Sequence, residues 1–289
     1  HDMHTSMLLA AAEILKKHEK DLGGTVKLIF QPGEEKIPGG ARIMIEAGVL
    51  EDPHVDVVFG QHINPAVSTG EVLISSGYVM ASADELYWTI RGTGTHAAMP
   101  HLGNDVLLSG AEIVKHMQEL VSKFRDPLQP GVISVTSMHG GSANNIMPEK
   151  LEMLGTVRSF NEDWREMILE TIAVNSKRIC DMYGTECDFY IKKGYPAVIN
   201  DVIASEIGLN AAVEMFGNDS VKPYIPKMWA EDFAYFTLAR PAAFFNVGVL
   251  PPDLDIMPTL HNPKLNPDEN GMVYGASLLA GSAVKFLNG

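Results

Sequence analysis

Two carboxylates, Glu34 and Glu35, stand side by side in the glycine- and proline-rich stretch QPGEEKIPGG. The stretch directly follows the apolar run VKLIF at 26–30, which predicts that both acids leave the end of a buried strand. Two carboxylates in one cleft repel each other, and one stays protonated unless a cation compensates. A divalent metal ion can do this, which would let one acid bind the ion while the other handles protons.

Histidines stand at comparable places in the sequence. His62 follows the predicted strand VDVVFG by two residues, and His261 lies beyond the predicted strand FFNVGV. His1 and His4 flank the start of the first predicted helix. Histidine and glutamate at the carboxyl ends of parallel strands predict a metal site with nitrogen and oxygen ligands. Because a solitary histidine or a Glu-Glu pair is usually an ordinary surface feature, the prediction depends on several candidates sharing one sheet edge.

The loop RGTGTHAAMPH fits the dinucleotide-binding pattern G-x-G-x-x-G/A, but we reject that interpretation. Pro100 falls where the following helix should already be running, and the preceding strand LYWTIR alternates as in an antiparallel sheet. The two interpretations left open are a glycine-rich turn that presents His96 and an ordinary strand-to-helix loop.

A second glycine-rich loop, HGGSANNIMPE, offers the side-chain amides of Asn144 and Asn145. Arg158 follows at the end of the next predicted strand, where its guanidinium could hold a carboxylate bidentately or form a surface ion pair. No side chain stands out as a nucleophile: the sequence has no G-x-S-x-G motif, and Cys180 and Cys187 have no base nearby in sequence. An activated water is therefore the expected attacking group.

The predicted elements that position these residues form an α/β sheet domain with a smaller inserted α+β domain. The outer domain is expected at 1–80 and 199–289. Within it, a predicted helix lies between the predicted strands at 26–30 and 55–60, which indicates a parallel βαβ unit. The inserted domain, expected at 81–198, has the order β-α-β-β-α-β of ferredoxin-like folds. We expect its strand at 86–91 to pair with its copy in a homodimer or higher homo-oligomer.

Composition limits the classes of function. The 289 residues carry a net charge of -14, which disfavours binding to nucleic acid or to an anionic membrane surface. No apolar stretch is long enough to span a membrane, and two cysteines are too few for a disulfide framework, so we expect a cytoplasmic protein. The chain starts at His1 directly before a helical pattern, and we therefore expect a fragment that lacks an N-terminal part.

Several stretches together resemble the M20 metallopeptidases, in particular their amidohydrolase subfamily of hippurate hydrolases, N-acyl-amino-acid deacylases and auxin-conjugate hydrolases. The matching stretches occur in family order along the whole chain: HDMHTSMLL, GTVKLIFQPGEE, GGARIMIEAGVLED, VFGQH, GTGTHAAMPHLG, HGGSANNIMPE, LGTVRSF, AEDFAYF and LHNP. The resemblance implies a catalytic domain that holds two divalent metal ions, with zinc or manganese ahead of cobalt or nickel, and an inserted domain for substrate closure and dimerisation.

The resemblance also implies roles for individual residues. The implied metal ligands are His1, Glu35, His62 and His261, with further ligands before His1. Glu34 would be the general base and acid, and His96 would stabilise the oxyanion. Asn145 and Arg158 would hold the carboxylate of the substrate.

The expected reaction is hydrolysis of the amide bond of N-acyl amino acids or small peptides by a metal-activated water. One alternative is a di-/tripeptidase or carboxypeptidase of the same family. An alternative of another class is a non-catalytic protein that uses the fold for peptide binding or assembly.

Overall fold

The structure is a computed structural model that describes all residues, His1–Gly289. Its strands, in chain order, are β1 (Val58–Ser68), β2 (Val72–Leu73), β3 (Gly77–Met80), β4 (Asp84–Arg91), β5 (Thr95–His96), β6 (Gly131–His139), β7 (Ile146–Met147), β8 (Lys150–Ser159), β9 (Glu186–Lys193), β10 (Val198–Asn200), β11 (Val221–Lys222) and β12 (Ala242–Leu250). Its α-helices are α1 (Asp2–Lys17), α2 (Gly40–Glu46), α3 (Val106–Glu119), α4 (Glu162–Met182), α5 (Val202–Phe216), α6 (Ala234–Ala239) and α7 (Gly271–Asn288).

The chain divides into two compact units. Unit 1 contains His1–Val79, Val198–Lys227 and Glu231–Gly289, and unit 2 contains Met80–Ala197 and Met228–Ala230. The α/β class predicted from the sequence is confirmed. None of the helices combines the length and the apolar character that crossing a lipid bilayer requires.

Unit 1 is built around a four-stranded sheet in the order β1-β12-β2-β11. Strand β1 is parallel to β12, whereas β2 is antiparallel to β12 and parallel to β11. All nine residues of β12 are buried, which fits its continuous apolar sequence AAFFNVGVL and its place inside the sheet. Phe245 packs against Leu278 of α7 and Ala204 of α5, so helices cover this part of the sheet.

The prediction of a strand at 26–30 is wrong. Residues 26–30 run outside any strand, and Leu28 and Phe30 are exposed. A cavity of about 680 Å³, lined by residues 25–31 and by Val58–His62 of β1, lies beside them, so their backbone has no neighbouring strand to pair with. An apolar run predicts burial but cannot show whether a partner strand is present. The predicted parallel pair is therefore not 26–30 with β1; it is β1 with β12.

Strand β1 also differs from its predicted bounds. It begins three residues later than expected and continues to Ser68, so His62 lies within the strand and not beyond its end. His62 is in register with Asn246 of β12. His261 does lie after β12, in the loop that leads to α7.

Unit 2 is a four-stranded antiparallel sheet in the order β6-β8-β4-β9, with α3 and α4 packed on one face. This order, with β-α-β-β-α-β along the chain, is the split βαβ arrangement predicted from the sequence. The indole of Trp88 is buried in the core, where its Nε1 donates to Ser176 Oγ of α4 at 2.8 Å. Strand β4 has a partner on both sides, so the expectation that residues 86–91 pair with their copy is wrong.

A buried ion pair fixes the start of β4 within unit 2. Arg165 of α4 donates from Nε to Asp84 Oδ2 and from Nη2 to Asp84 Oδ1, both at 2.7 Å. Asp84 is fully buried and Arg165 is 4% exposed. A bidentate pair in this setting is strongly directional because neither partner can turn to water instead.

Candidate metal centre

The structure brings four histidines and two glutamates of unit 1 together. His261 Nε2 lies 2.8 Å from Glu35 Oε1, and His1 Nε2 lies 3.7 Å from the same oxygen. The ring centroids of His1 and His62 are 5.8 Å apart, in an edge-to-face arrangement. The charge of Glu35 and the ring of His261 also influence the pKa of His62, so both lie near it.

Each of these residues is placed by a different element. His1 precedes α1, His62 lies within β1, and Glu35 lies in the turn between residues 31 and 41, here called the acidic loop. His261 has a φ of 65° and is the one non-glycine residue with positive φ. Such a conformation is uncommon outside glycine and often marks a functional position.

Hydrogen bonds set which ring nitrogens of the histidines remain available. His62 Nδ1 donates to the carbonyl oxygen of Ile63 at 2.7 Å, which leaves its Nε2 with a lone pair for a metal ion. His4 Nε2 instead accepts from the backbone N–H of Ile63 at 3.0 Å. His4 therefore contacts β1 through Nε2 while its ring stays in one cluster with His1 and His62. Burial, together with His62, lowers the pKa of His4 to about 3.

A second cluster of acids adjoins the first. Carboxylate oxygens of Glu34, Glu231 and Asp232 lie within 4.8 Å of one another, and Glu231 and Asp232 are buried just before α6. Burial, and then the charges of Glu35 and Asp232, raise the pKa of Glu34 to about 7. Burial, with Glu34 and Asp232 nearby, raises the pKa of Glu231 well above its usual value. A carboxyl group with a pKa near neutrality is suited to accepting and returning a proton.

Sequence reasoning missed Glu231 and Asp232 as members of the site. They lie almost 200 residues from Glu34, and the stretch AEDFAYF gives no spacing that ties them to the acidic loop. The available signal was a second pair of adjacent acids, which stands directly before an apolar segment.

The remaining predicted residues lie in unit 2. His96 is in β5 opposite Ile146 of β7, and the N–H of Ala97 donates to the carbonyl oxygen of Asn145 at 2.9 Å, so the structure brings His96 and Asn145 together. His96 Nδ1 accepts from the N–H of Ala98 at 3.1 Å. The neutral ring then carries its proton on Nε2, which makes that nitrogen a donor.

Arg158 lies near the end of β8 and is half-buried. Its Nη1 donates to the carbonyl oxygen of Val157 at 3.0 Å and to Thr156 Oγ1. Burial lowers the pKa of Arg158, while Asp84 and Glu85 oppose that shift. Both of these hydrogen bonds use one nitrogen of the guanidinium, which has five N–H donors in all.

The donors in unit 1 fit divalent metal ions. Imidazole nitrogens and carboxylate oxygens are the ligands of zinc and of the neighbouring first-row metals. The raised pKa values of Glu34 and Glu231 result from burial and from like charges nearby, and a divalent cation would relieve both effects. His1, Glu35, His62 and His261 are the residues that would hold the ions by the family resemblance, and His4 adds an imidazole within 4.8 Å of those of His1 and His62.

Comparisons with known proteins identify the family of the chain. Residues 1–285 match peptidase family M20/M25/M40. The chain belongs to this family. It is 36% identical over 286 residues to YhaA of Bacillus subtilis (strain 168), and the match covers 99% of the chain and 72% of YhaA.

Two other relatives of this M20 chain have named activities. The N-acetyl-L-cysteine deacetylase of Bacillus subtilis (strain 168) is 31% identical, over 100% of the chain and 67% of the deacetylase. Thermostable carboxypeptidase 1 of Saccharolobus solfataricus is 33% identical, over 100% of the chain and 72% of the carboxypeptidase. Both activities are hydrolyses of amide bonds, and the chain is thus a member of a family of amide-bond hydrolases. It spans about two thirds to three quarters of the length of these relatives.

Solved structures match the M20 chain equally well. An aminohydrolase-like protein from methicillin-resistant Staphylococcus aureus superposes with a TM-score of 0.88 at 32% identity, over 99% of the chain and 73% of that structure. A dinuclear metal-binding peptidase of the M20 family from Bacillus subtilis superposes with a TM-score of 0.82 at 28% identity, over 100% of the chain and 72% of that structure.

Proposed function

We propose that the protein hydrolyses the amide bond of N-acyl amino acids with two divalent metal ions held by His1, Glu35, His62 and His261. The observation that carries this proposal is the position of Glu34. Its carboxyl group, with a pKa of about 7, adjoins Glu35 and lies among the clustered histidines and acids of unit 1. Zinc or manganese suits the mixed nitrogen and oxygen donors first, and cobalt or nickel next.

Glu34 performs the proton transfers in this mechanism. When bound by these residues, the metal ions would polarise the scissile carbonyl as Lewis acids and would lower the pKa of the attacking water. Glu34 accepts a proton from that water as the carbon–oxygen bond forms. When the carbon–nitrogen bond breaks, Glu34 delivers the proton to the departing amine, so it returns to the carboxylate.

Three residues of unit 2 have proposed roles in the same reaction. The Nε2–H of His96 stabilises the negative oxygen of the tetrahedral intermediate, and loss of one such donor typically slows the reaction about 100-fold or more. Arg158 and Asn145 hold the free carboxylate of the substrate, since a guanidinium matches that group geometrically. Closure and dimerisation by residues 81–198, and a cytoplasmic location, stay predictions.

The decisive variant is Glu34→Gln in the full-length protein. We expect turnover of N-acyl amino acids to fall at least about 1,000-fold while the metal content, measured by elemental analysis, stays unchanged. Normal turnover by the variant would refute the assignment of Glu34. Glu13→Gln, an exposed substitution on α1, is the matched control and should leave turnover unchanged.

A peptidase acting on unmodified peptides is the second candidate, and the similarity to a carboxypeptidase favours it. The same assay separates the two when N-acyl amino acids, dipeptides and tripeptides are compared at equal concentration. Higher kcat/KM for peptides would support the second candidate. Binding of peptides without any turnover by metal-loaded protein would instead support a non-catalytic role.

A further inference from the structure

Asp232 is fully buried, and both of its carboxylate oxygens accept hydrogen bonds from the acidic loop. Oδ1 accepts from Gln31 Nε2 at 2.5 Å, at the start of the loop. Oδ2 accepts from the backbone N–H of Ala41 at 2.9 Å, where the loop ends and α2 has begun. One side chain thus joins the two ends of the segment that carries Glu34 and Glu35.

The glycines of the loop are required for this contact. Gly39 has a φ of +82°, and a Cβ at this position would lie 2.2 Å from Asp232 Oδ2. A Cβ on Gly40 would lie 1.6 Å from the carbonyl oxygen of Pro32, on the opposite arm of the loop. The Pro-Gly-Gly sequence therefore lets the two arms close on each other and on Asp232.

Asp232 is well placed to orient other groups around the proposed metal site. Each of its oxygens is already directed at a donor of the acidic loop. Groups that hold the side chains around a metal site typically change metal affinity or activity about 10- to 100-fold when removed. The loop between the two bonded ends contains both the proposed base, Glu34, and the proposed ligand, Glu35.

We propose that Asp232 is a positioning residue whose two hydrogen bonds fix the acidic loop so that Glu35 binds metal and Glu34 meets the attacking water. This inference rests on the proposed function for its consequence in catalysis. Its structural part, that Asp232 orders residues 33–40, is measurable without turnover.

The test compares two substitutions of Asp232 in the full-length protein. Asp232→Asn keeps the size of the side chain and both hydrogen bonds, because the amide of Gln31 can turn and accept from the new amide. Asp232→Ala removes both bonds. We expect Asp232→Ala to weaken metal binding or lower kcat about 10- to 100-fold, with metal affinity measured by competition with a chelator. We expect Asp232→Asn to stay within about threefold of the wild type in metal affinity.

Asp201→Ala is the matched control for a purely structural loss. Asp201 is in the same unit and also binds a helix N-terminus, where its side chain accepts from the N–H of Ala204 at 2.9 Å. We expect this variant to lower the melting temperature without changing metal affinity or amide exchange in residues 33–40. Asp232→Ala should instead speed amide exchange there. If Asp232→Ala does not fold, Gln31→Ala removes one of the two bonds and should give a smaller loss in the same direction.

Two results would overturn the proposal. The first is unchanged metal affinity, kcat and loop exchange in Asp232→Ala or, where that variant does not fold, in Gln31→Ala. The second is an equal loss in Asp232→Asn and Asp232→Ala, which would assign the effect to charge and not to the hydrogen bonds. A wild-type protein that turns over no N-acyl amino acid would refute the proposed function alone, because metal affinity and loop exchange would still test the role of Asp232.

Discussion

The charge of Glu34 depends strongly on its surroundings. Its carboxyl group is raised from a usual pKa of 4.5 to about 7, chiefly by burial and then by Glu35 and Asp232. The folded protein therefore binds this proton more tightly than the unfolded chain. Stability from this group is fully present below about pH 4.5 and is lost as the pH rises through about 7.

This shift predicts a pH-dependent difference between the wild type and Glu34→Gln. In metal-free protein, the melting temperature of the wild type should fall relative to that of the variant between about pH 5 and about pH 8. His4 and His62, whose pKa values are lowered, contribute the opposite slope in both proteins, so the difference curve reports Glu34 together with Glu231, whose pKa depends on Glu34. A flat difference curve, recorded by calorimetry in a chelator, would show that the pKa of Glu34 is not raised.

At this scale the sequence predicted which residue types form the site better than it predicted which residues contact one another. Metal chemistry was indicated by the Glu34–Glu35 pair and the histidines, because few other functions combine these groups. Nothing local indicated that Asp232 contacts the acidic loop or that His4 accepts from Ile63, because both contacts join segments that are distant along the chain. Contacts of this kind are set by the three-dimensional path of the backbone.

At the scale of elements, the acidic loop depends on two glycines with positive φ that differ in their surroundings. Gly39 lies against Asp232, whereas a Cβ on Gly33, at φ +69°, would have no atom within 4 Å. Gly33→Ala should therefore cost only the left-handed backbone conformation, about 1–2 kcal/mol. Gly39→Ala should cost about 1–3 kcal/mol more, because the side chain or the backbone must move to admit the methyl group.

Urea unfolding of the two alanine variants measures this difference. Both glycines have positive φ, and Gly39 also has a ψ of 154°, a conformation that is essentially restricted to glycine, so its larger expected loss includes backbone strain as well as the close approach. Equal losses in the free energy of unfolding would mean that the close approach of Gly39 to Asp232 does not constrain the loop.

Elements were predictable where their pattern was complete within the segment. Helix α5 is specified locally, because its apolar spacing and the cap Asp201, whose side chain accepts from the N–H of Ala204, lie within the segment. The order β-α-β-β-α-β of the main elements of unit 2 was predicted for the same reason. The run at 26–30 has a strand-like composition, but strand formation needs a neighbouring backbone, and the sequence of one segment cannot supply that information.

At the scale of the whole molecule, all four proposed metal ligands belong to unit 1. A ligand that binds only the folded state stabilises it by about 2.7 kcal/mol when its concentration is 100 times its dissociation constant. Metal binding should therefore stabilise unit 1 selectively. The buried pair of Asp84 and Arg165 lies in unit 2, so a substitution there should destabilise unit 2 selectively.

We predict that metal addition and Asp84→Asn act on different units. Metal should slow amide exchange in the slowest-exchanging parts of β1 and β12, whereas Asp84→Asn should destabilise β4 and α4 by about 3 kcal/mol, because Arg165 keeps only part of its pairing. Exchange detected by mass spectrometry resolves the two units in one experiment. If Asp84→Asn weakened metal affinity as strongly as Asp232→Ala, or if metal protected unit 2 as much as unit 1, the ligand set would have to extend beyond unit 1.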